Sequence, residues 1–293
     1  MANQAPPGKS EDPAAPPTRK RTVQIIGSPV SRARQVILGV IPILILCLLY
    51  AYFSHQRHVE NPMDRLMPGF DQLAEGLKEI TTPNKRTEEV WLWVDTKASL
   101  LRLFKGMGSG LAIAITLGLL MGIFSHVRAI FAPLMTALAK VPPLALLPII
   151  FIFLGVDESS KIVLIALGIA PTLTNDIALA GKAVPQSAVV KAYTLGASTS
   201  EVAFKVIFPQ ILPRILDSIR LTIGPAWIFL IASEAISADS GLGYRIYVVQ
   251  RQLAMNVILP YVLWIALLGV VMDYVIAAIS RWGFPWAHDR GGH

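Results

Sequence analysis

The sequence predicts an all-α protein that lives in a membrane and crosses it with six helices. Three observations carry that prediction. Hydrophobic residues make up 54% of the 293 positions and charged residues 15%, with a mean hydropathy of +0.56, which is more apolar and less charged than a soluble globular domain. The apolar residues are bunched into runs close to the ~20 residues that a bilayer-crossing helix requires. The net charge of +7 is explained by basic residues flanking those runs, so nucleic acid is not expected as a partner and membrane lipid is.

Residues 1–34 are rich in Pro, Ala and charge (APPGKSEDPAAPPTRKR) and read as a disordered cytoplasmic tail. The PGKS at Pro7 to Ser10 lacks the first glycine of a phosphate-binding loop and follows no strand, so no nucleotide site is read there. Residues 35–54, QVILGVIPILILCLLYAYFS, form the first transmembrane helix; the run is too long for a signal peptide and has no small-residue cleavage site. The single cysteine, Cys47, lies within it, which excludes intrachain disulfides and cysteine metal clusters.

Residues 55–99 form an external segment. Leu73, Leu77 and Ile80 in DQLAEGLKEI have helical spacing, so an amphipathic helix lies on the membrane or on the core. TTPNKRTEE then makes a turn. Trp91 and Trp93 lead into the second span, where interfacial anchoring is favoured over substrate stacking.

Five further spans follow, at about 106–125, 129–154, 161–180, 220–237 and 257–280. Lys9, Arg19, Lys20, Arg21, Arg32 and Arg34 place the N-terminus in the cytoplasm, and six crossings return residues 283–293 to the same side. His126, Arg128, Lys182, Lys191, Lys205 and Arg214 then fall inside, and Asp157 and Glu158 outside.

The inner loop, 182–215, is the most informative stretch. Ser198 and Glu201 form an S-x-x-E capping box that starts a short helix, which Pro209 helps to end. Gly196 allows a sharp bend between that helix and the preceding VVKAYTL. A hinged pair of helices suits force transfer from a soluble motor better than a passive connection would.

At these residues the sequence resembles the permease subunits of bacterial ATP-binding-cassette (ABC) importers. Their loop pattern is Glu-Ala-Ala, three residues, Gly, nine residues, then aliphatic-x-Leu-Pro. Here Gly196 is followed at that spacing by Val206, Ile207, Phe208 and Pro209, while Val190, Lys191 and Ala192 stand where the pattern has Glu-Ala-Ala. The resemblance covers roughly 100–282 and sharpens towards the nitrate, sulfonate, taurine and bicarbonate branch. Its carriers are VPPLALLPIIFIFLG, TLGAS, LPRILDSIRLTIGPAW and ASEAISADSGLGYRI.

The resemblance implies a type I importer permease fold, and Ala192, Gly196, Ser198, Glu201, Lys205 and Pro209 as the ATPase-coupling element. It implies a second copy of the chain, two cassette ATPase subunits and an external substrate-binding protein as partners, all at the bacterial inner membrane. ATP and Mg would sit on the ATPase. No cofactor, metal or catalytic residue is expected on this chain, and the chain is not expected to be an enzyme.

Candidates for the translocation path come from polar or helix-breaking residues inside spans. Pro142, Pro143 and Pro148 break the third span and free carbonyls, by a path or at a packing kink. Glu234 is an isolated carboxylate near the outer end of the fifth span. It would bind a cation as a substrate ligand; as a structural group it would pair with Arg245 or accept from the SGLG turn, and the resemblance favours the structural role. Trp227 is a candidate cavity-lining residue, Asp273 a further path carboxylate, and Asn175 and Asp176 suit the inner interface.

The solute could be a nitrate-, sulfonate/taurine- or bicarbonate-like anion, or a small nitrogen compound such as urea or guanidine. An ion-coupled secondary carrier would predict inverted repeats and several midplane charges. An intramembrane enzyme would need paired catalytic groups within the spans, yet all five histidines lie outside them.

Overall fold

The computed structural model describes residues 31–61, 64–84 and 88–288. Most of the predicted tail at 1–34 and the last residues, 289–293, therefore lie outside the described residues. Regular structure among those described is helical throughout. The chain divides into two compact units, Met1–Tyr52 and Phe53–His293.

Helix α1, Arg32–Glu60, is longer than the span read from the sequence and keeps Pro42 within it. It is apolar on every face from Val36 to Phe53, the composition of a helix surrounded by lipid or other apolar groups.

The second unit takes in the end of α1 and continues with α2, Phe70–Thr81, and α3, Trp91–Ile123. α2 packs on the core: a Cβ on its Gly76 would collide with the Asn256 carbonyl, and Ile80 is wholly buried. α4 spans Ser125–Leu138, α5 Leu147–Leu154 and α6 Glu158–Lys182.

α3 and α6 form the spine. Gly106, Gly110, Ala114, Gly118 and Gly122 recur every four residues along α3, giving it one smooth face. Against this face lie Ile165, Ile169, Ile177 and Gly181 of α6; a Cβ added to Gly106 would sit 2.6 Å from that of Ile165, and one on Gly118 2.8 Å from that of Ile177. Small residues let helix backbones approach closely where no hydrophobic drive separates helix from lipid. Gly118→Leu is therefore expected to cost at least the ~1–3 kcal/mol of an overpacked core. Its check is membrane abundance together with thermal unfolding of the purified chain; an unchanged melting point would contradict the packing.

The residue pairing also fixes direction. Contacts advance along α3 and α6 in the same sense, so the two helices run parallel. The chain between them must recross the membrane, and α4 with its 14 residues is too short to do so alone. The third span is accordingly a broken one, α4 followed by a 3₁₀ turn at Pro143–Leu146 and α5, bent by 88°. This departs from the single kinked helix expected over 129–154. Adjacent prolines remove two N–H donors and push the residue before them out of the helical region, so the helix ends rather than bends. Among the described residues five helices are long and apolar enough to cross, and the bent pair makes six.

α7, Gln186–Thr194, and α8, Thr199–Glu201, build the loop after α6. α8 runs through a π-helical segment, Val202–Ile207, into α9, Phe208–Ser237. Together they make one 39-residue helix, so Pro209 does not end the loop helix as expected. The π register moves the Phe208 N–H to the Ala203 carbonyl, which relieves the clash between a proline ring and the preceding turn. α10, Leu242–Gln250, α11, Met255–Gly283, and the short α12, Pro285–His288, complete the described residues.

Candidate functional site

Two polar constructions stand out, at opposite ends of the bundle. The first is the loop between α6 and α9. Its hinge is built from backbone hydrogen bonds: the Gly196 N–H donates to the Tyr193 carbonyl and the Ala197 N–H to the Ala192 carbonyl. That pair is a Schellman closure of α7, and it needs a left-handed residue at Gly196, where φ is +85°.

Two residues later the Glu201 N–H donates to Ser198 Oγ at 3.3 Å and the Ser198 N–H to Glu201 Oε2 at 3.0 Å, a reciprocal capping box. Lys205 donates to Glu201 Oε1 at 2.8 Å. The Lys205 and Ser198 bonds hold the Glu201 carboxyl down at about 2. Removing the cap oxygen in Ser198→Ala should cost about 0.5–2 kcal/mol locally. The expected sign is faster amide exchange across 199–203; exchange equal to the unmodified chain would show that the cap is idle.

The loop is stiff but its tip is apolar. Leu195 is 88% exposed and Phe204 65%, with Val190 and Tyr193 also open to solvent. The departure from the family pattern at Val190 adds to this surface rather than to any charge.

The second construction lies where α3, α6 and α11 begin and α9 ends. Asp95, Ser99 and Arg102 occupy one face of α3 at i, i+4 and i+7. Glu234, 0% exposed, accepts from Ser99 Oγ at 2.8 Å, Arg102 Nη1 at 2.7 Å and the Gly243 N–H at 2.9 Å. Arg102 also donates from Nε and Nη2 to the two Glu158 oxygens, at 2.6 and 2.8 Å, and from Nη1 to the Ser240 carbonyl.

Asp95 accepts from Arg245 Nε at 2.8 Å, the Gly241 N–H at 2.9 Å and the Tyr261 hydroxyl at 3.0 Å. Lys161, 2% exposed, donates to the Val156 carbonyl and more weakly to Glu158. Three acids and three bases thus tie five helices around the turn at Ser240–Gly243, where Gly241 has φ +129°. Buried charges are tolerated when paired and hydrogen-bonded, and Asp95, Arg102 and Glu234 are each paired and hydrogen-bonded here.

Glu234 thus pairs with Arg102, not with Arg245, which α10 directs to Asp95; the expected acceptance from the SGLG turn is present. Asp95, Ser99, Arg102 and Tyr261 were not singled out from the sequence. Trp227, expected to line a cavity, is 6% exposed and packs in the helical core beside Gly269, its Nε1 without a partner. Asp273 forms a two-point pair with Arg220 across α9 and α11, at 2.8 and 2.9 Å, half-exposed on the bundle surface. Pro142 and Pro143 sit at the break between α4 and α5. The structure brings none of these four into one site with Glu234.

Membrane-length helices with a hydrogen-bond-braced loop at one end and a charge-paired turn at the other are the features of a multi-pass membrane protein. The chain belongs to the family of binding-protein-dependent transport system inner membrane components, whose model matches residues 114–282. It falls in the ABC importer branch that holds the taurine, sulfonate and bicarbonate permeases. It is 36% identical over 222 residues to the taurine transport system permease protein TauC of Escherichia coli (strain K12), covering 75% of this chain and 80% of that one. It is 31% identical over 193 residues to the bicarbonate transport system permease protein CmpB of Synechococcus elongatus, covering 65% and 69%.

Solved structures agree on the fold. A chain of the MetNI methionine ABC transporter in an inward-facing conformation superposes with a TM-score of 0.53 at 18% identity, over 62% of this chain and 93% of that one. A chain of a bacterial ABC transporter that imports alginate gives 0.58 at 13% identity, over 85% and 96%.

Proposed function

We propose that this chain forms half of an ATP-driven import path for a small oxyanionic solute of the sulfonate, taurine or bicarbonate kind. Two copies would build the path, two cassette ATPase subunits would drive it from the cytoplasm, and an external binding protein would deliver the solute. ATP and Mg would belong to the ATPase, and this chain would contribute no catalytic group. The N- and C-termini would be cytoplasmic, on the side of the loop built around Gly196.

One observation carries the reading. A loop braced by a Schellman closure and a capping box presents Leu195 and Phe204 to solvent. Rigid exposed apolar tips mark docking surfaces, and this one continues directly into a span through α8 and α9. Motion of a docked motor would reach the membrane without a flexible joint between. The relatives named above carry taurine and bicarbonate, which supports an anionic solute over urea or guanidine.

Reconstitution with the cognate ATPase and binding protein tests it. ATP-dependent uptake of taurine, an alkylsulfonate, nitrate and bicarbonate into proteoliposomes should be measured beside urea and guanidinium. Uptake of one oxyanion, dependent on all three components, is expected; uptake of guanidinium alone would overturn the solute class. Uptake without the ATPase, driven by an ion gradient, would overturn the importer reading and favour a secondary carrier. For orientation, Cys47 is replaced by alanine and a single cysteine introduced at Gln186; labelling from the cytoplasmic side only is expected.

A further inference from the structure

We propose that the groove where α3, α4 and α6 meet at the loop end of the bundle binds the headgroup of an anionic phospholipid. The groove encloses about 310 Å³. Next in sequence to its lining residues Met121 and Lys182 the spine is closely packed: a Cβ on Gly181 would lie 3.2 Å from the Gly122 Cα. That packing puts the C-terminal ends of α3 and α6 side by side, at one depth, with a cation at each.

The two cations are Arg128 and Lys182. Arg128 is held in place: Nε donates to the Met121 carbonyl and Nη2 to the Gly122 carbonyl, each at 2.8 Å. These bonds complement the negative end of α3 and leave Nη1 uncommitted. Lys182, in the last turn of α6, has no ion-pair partner among the described residues. Asp176, the nearest acid in sequence on α6, is not part of the lining.

Asn175 and Thr136 line the same groove further along α6 and α4, about 10 Å deeper at ~1.5 Å per residue. Ala132 and Leu179 supply apolar wall between the two levels. Fixed cations at the surface with an apolar flank directly below them suit an anionic headgroup whose acyl chain runs on along the groove. Basic pockets between helices at a membrane surface recognise anionic headgroups in this way. The site needs only that this end of the helices lies at a membrane surface; that it is the cytoplasmic surface rests on the orientation proposed above, which the Gln186 labelling tests separately.

Each basic group near an anionic surface contributes about 1 kcal/mol, a factor of about five. Native mass spectrometry of the full chain, exchanged into phosphatidylglycerol or phosphatidylcholine, reads the retained lipid. A preference for phosphatidylglycerol of tenfold or more is expected. Lys182→Glu should reduce it at least fivefold, whereas Arg281→Glu, a basic residue near the end of α11 and outside the groove, should not. Lys182 is exposed, so its variant is expected to fold, and an unchanged melting point confirms that. Arg128→Gln should act in the same direction as Lys182→Glu. Equal retention of the two lipids, or full retention by Lys182→Glu, would overturn the proposal. Release of bound phosphatidylglycerol by millimolar taurine or bicarbonate would overturn it too and assign the groove to the transported solute.

Discussion

Arg102→Met is expected to cause a large loss of stability, on the order of 3–5 kcal/mol, the cost of removing one partner from a buried ion pair. The change strands the Glu234 carboxylate, which is wholly buried, takes its donor from the Ser240 carbonyl and leaves Glu158 only the weaker contact with Lys161. Little protein should remain in the membrane. A second substitution separates the charge from the packing. Glu234→Gln with its amide oxygen at the Oε2 position keeps one acceptor for both Ser99 and the Gly243 N–H while removing the stranded charge, so Arg102→Met/Glu234→Gln should recover much of the lost abundance. Thermal unfolding and membrane abundance of the single and double variants decide it. A double variant no better than Arg102→Met would mean that the arginine acts through packing alone.

Glu234 can be tested in its own right. Glu234→Ala leaves buried donors without partners, at about 1–3 kcal/mol, whereas Glu234→Gln alone should keep much of the uptake. Its bonds in this chain are already directed to Ser99, Arg102 and Gly243, which supports a structural role over contact with solute. A Gln variant that is abundant but inactive would reverse that assignment and move the solute towards a guanidinium-like cation.

What the sequence discloses depends on the distance over which each feature is specified. The capping box at Ser198 and Glu201 and the bend at Gly196 are set by residues three to five apart, and so they can be read directly. The prolines at 142 and 143 announce a break, but the 88° turn depends on where α5 packs against α6 and is invisible locally. The charge network was not legible for the same reason. Glu234 and Arg102 are 132 residues apart, Asp95 and Arg245 150, and Arg245, nearer to Glu234 in sequence, was the plausible wrong partner.

A signal for the network was present all the same. Asp95, Ser99 and Arg102 repeat at i, i+4 and i+7 just before an apolar helix, and a polar stripe so placed must face protein or water. Pro209 misled for a different reason. Helix-stop rules assume the α register, and the π segment at Val202–Ile207 lets a helix continue through a proline that would otherwise end it. The glycine stripe of α3 shows a further limit: its four-residue repeat is visible in the chain, but only the structure shows that α6 fills it and that the two helices run parallel.

Gly196→Val should uncouple transport while leaving the chain in the membrane. The position has open space, since a Cβ built there meets no atom within 4 Å. Any effect must therefore come from the backbone, whose φ of +85° costs an L-residue roughly 1–2 kcal/mol and a β-branched one more. To escape that strain the Schellman closure would open, and α8 with its Leu195 and Phe204 neighbourhood would be re-aimed. Gly196→Asn is the informative companion, because asparagine tolerates the left-handed region and fills similar space. Binding-protein-stimulated ATP hydrolysis and uptake should fall several-fold in the Val variant and stay near normal in the Asn variant, with equal membrane abundance. Equal impairment of both would place the requirement on side-chain size at a docking contact rather than on backbone conformation. Normal uptake in the Val variant would show that the hinge carries no force at all.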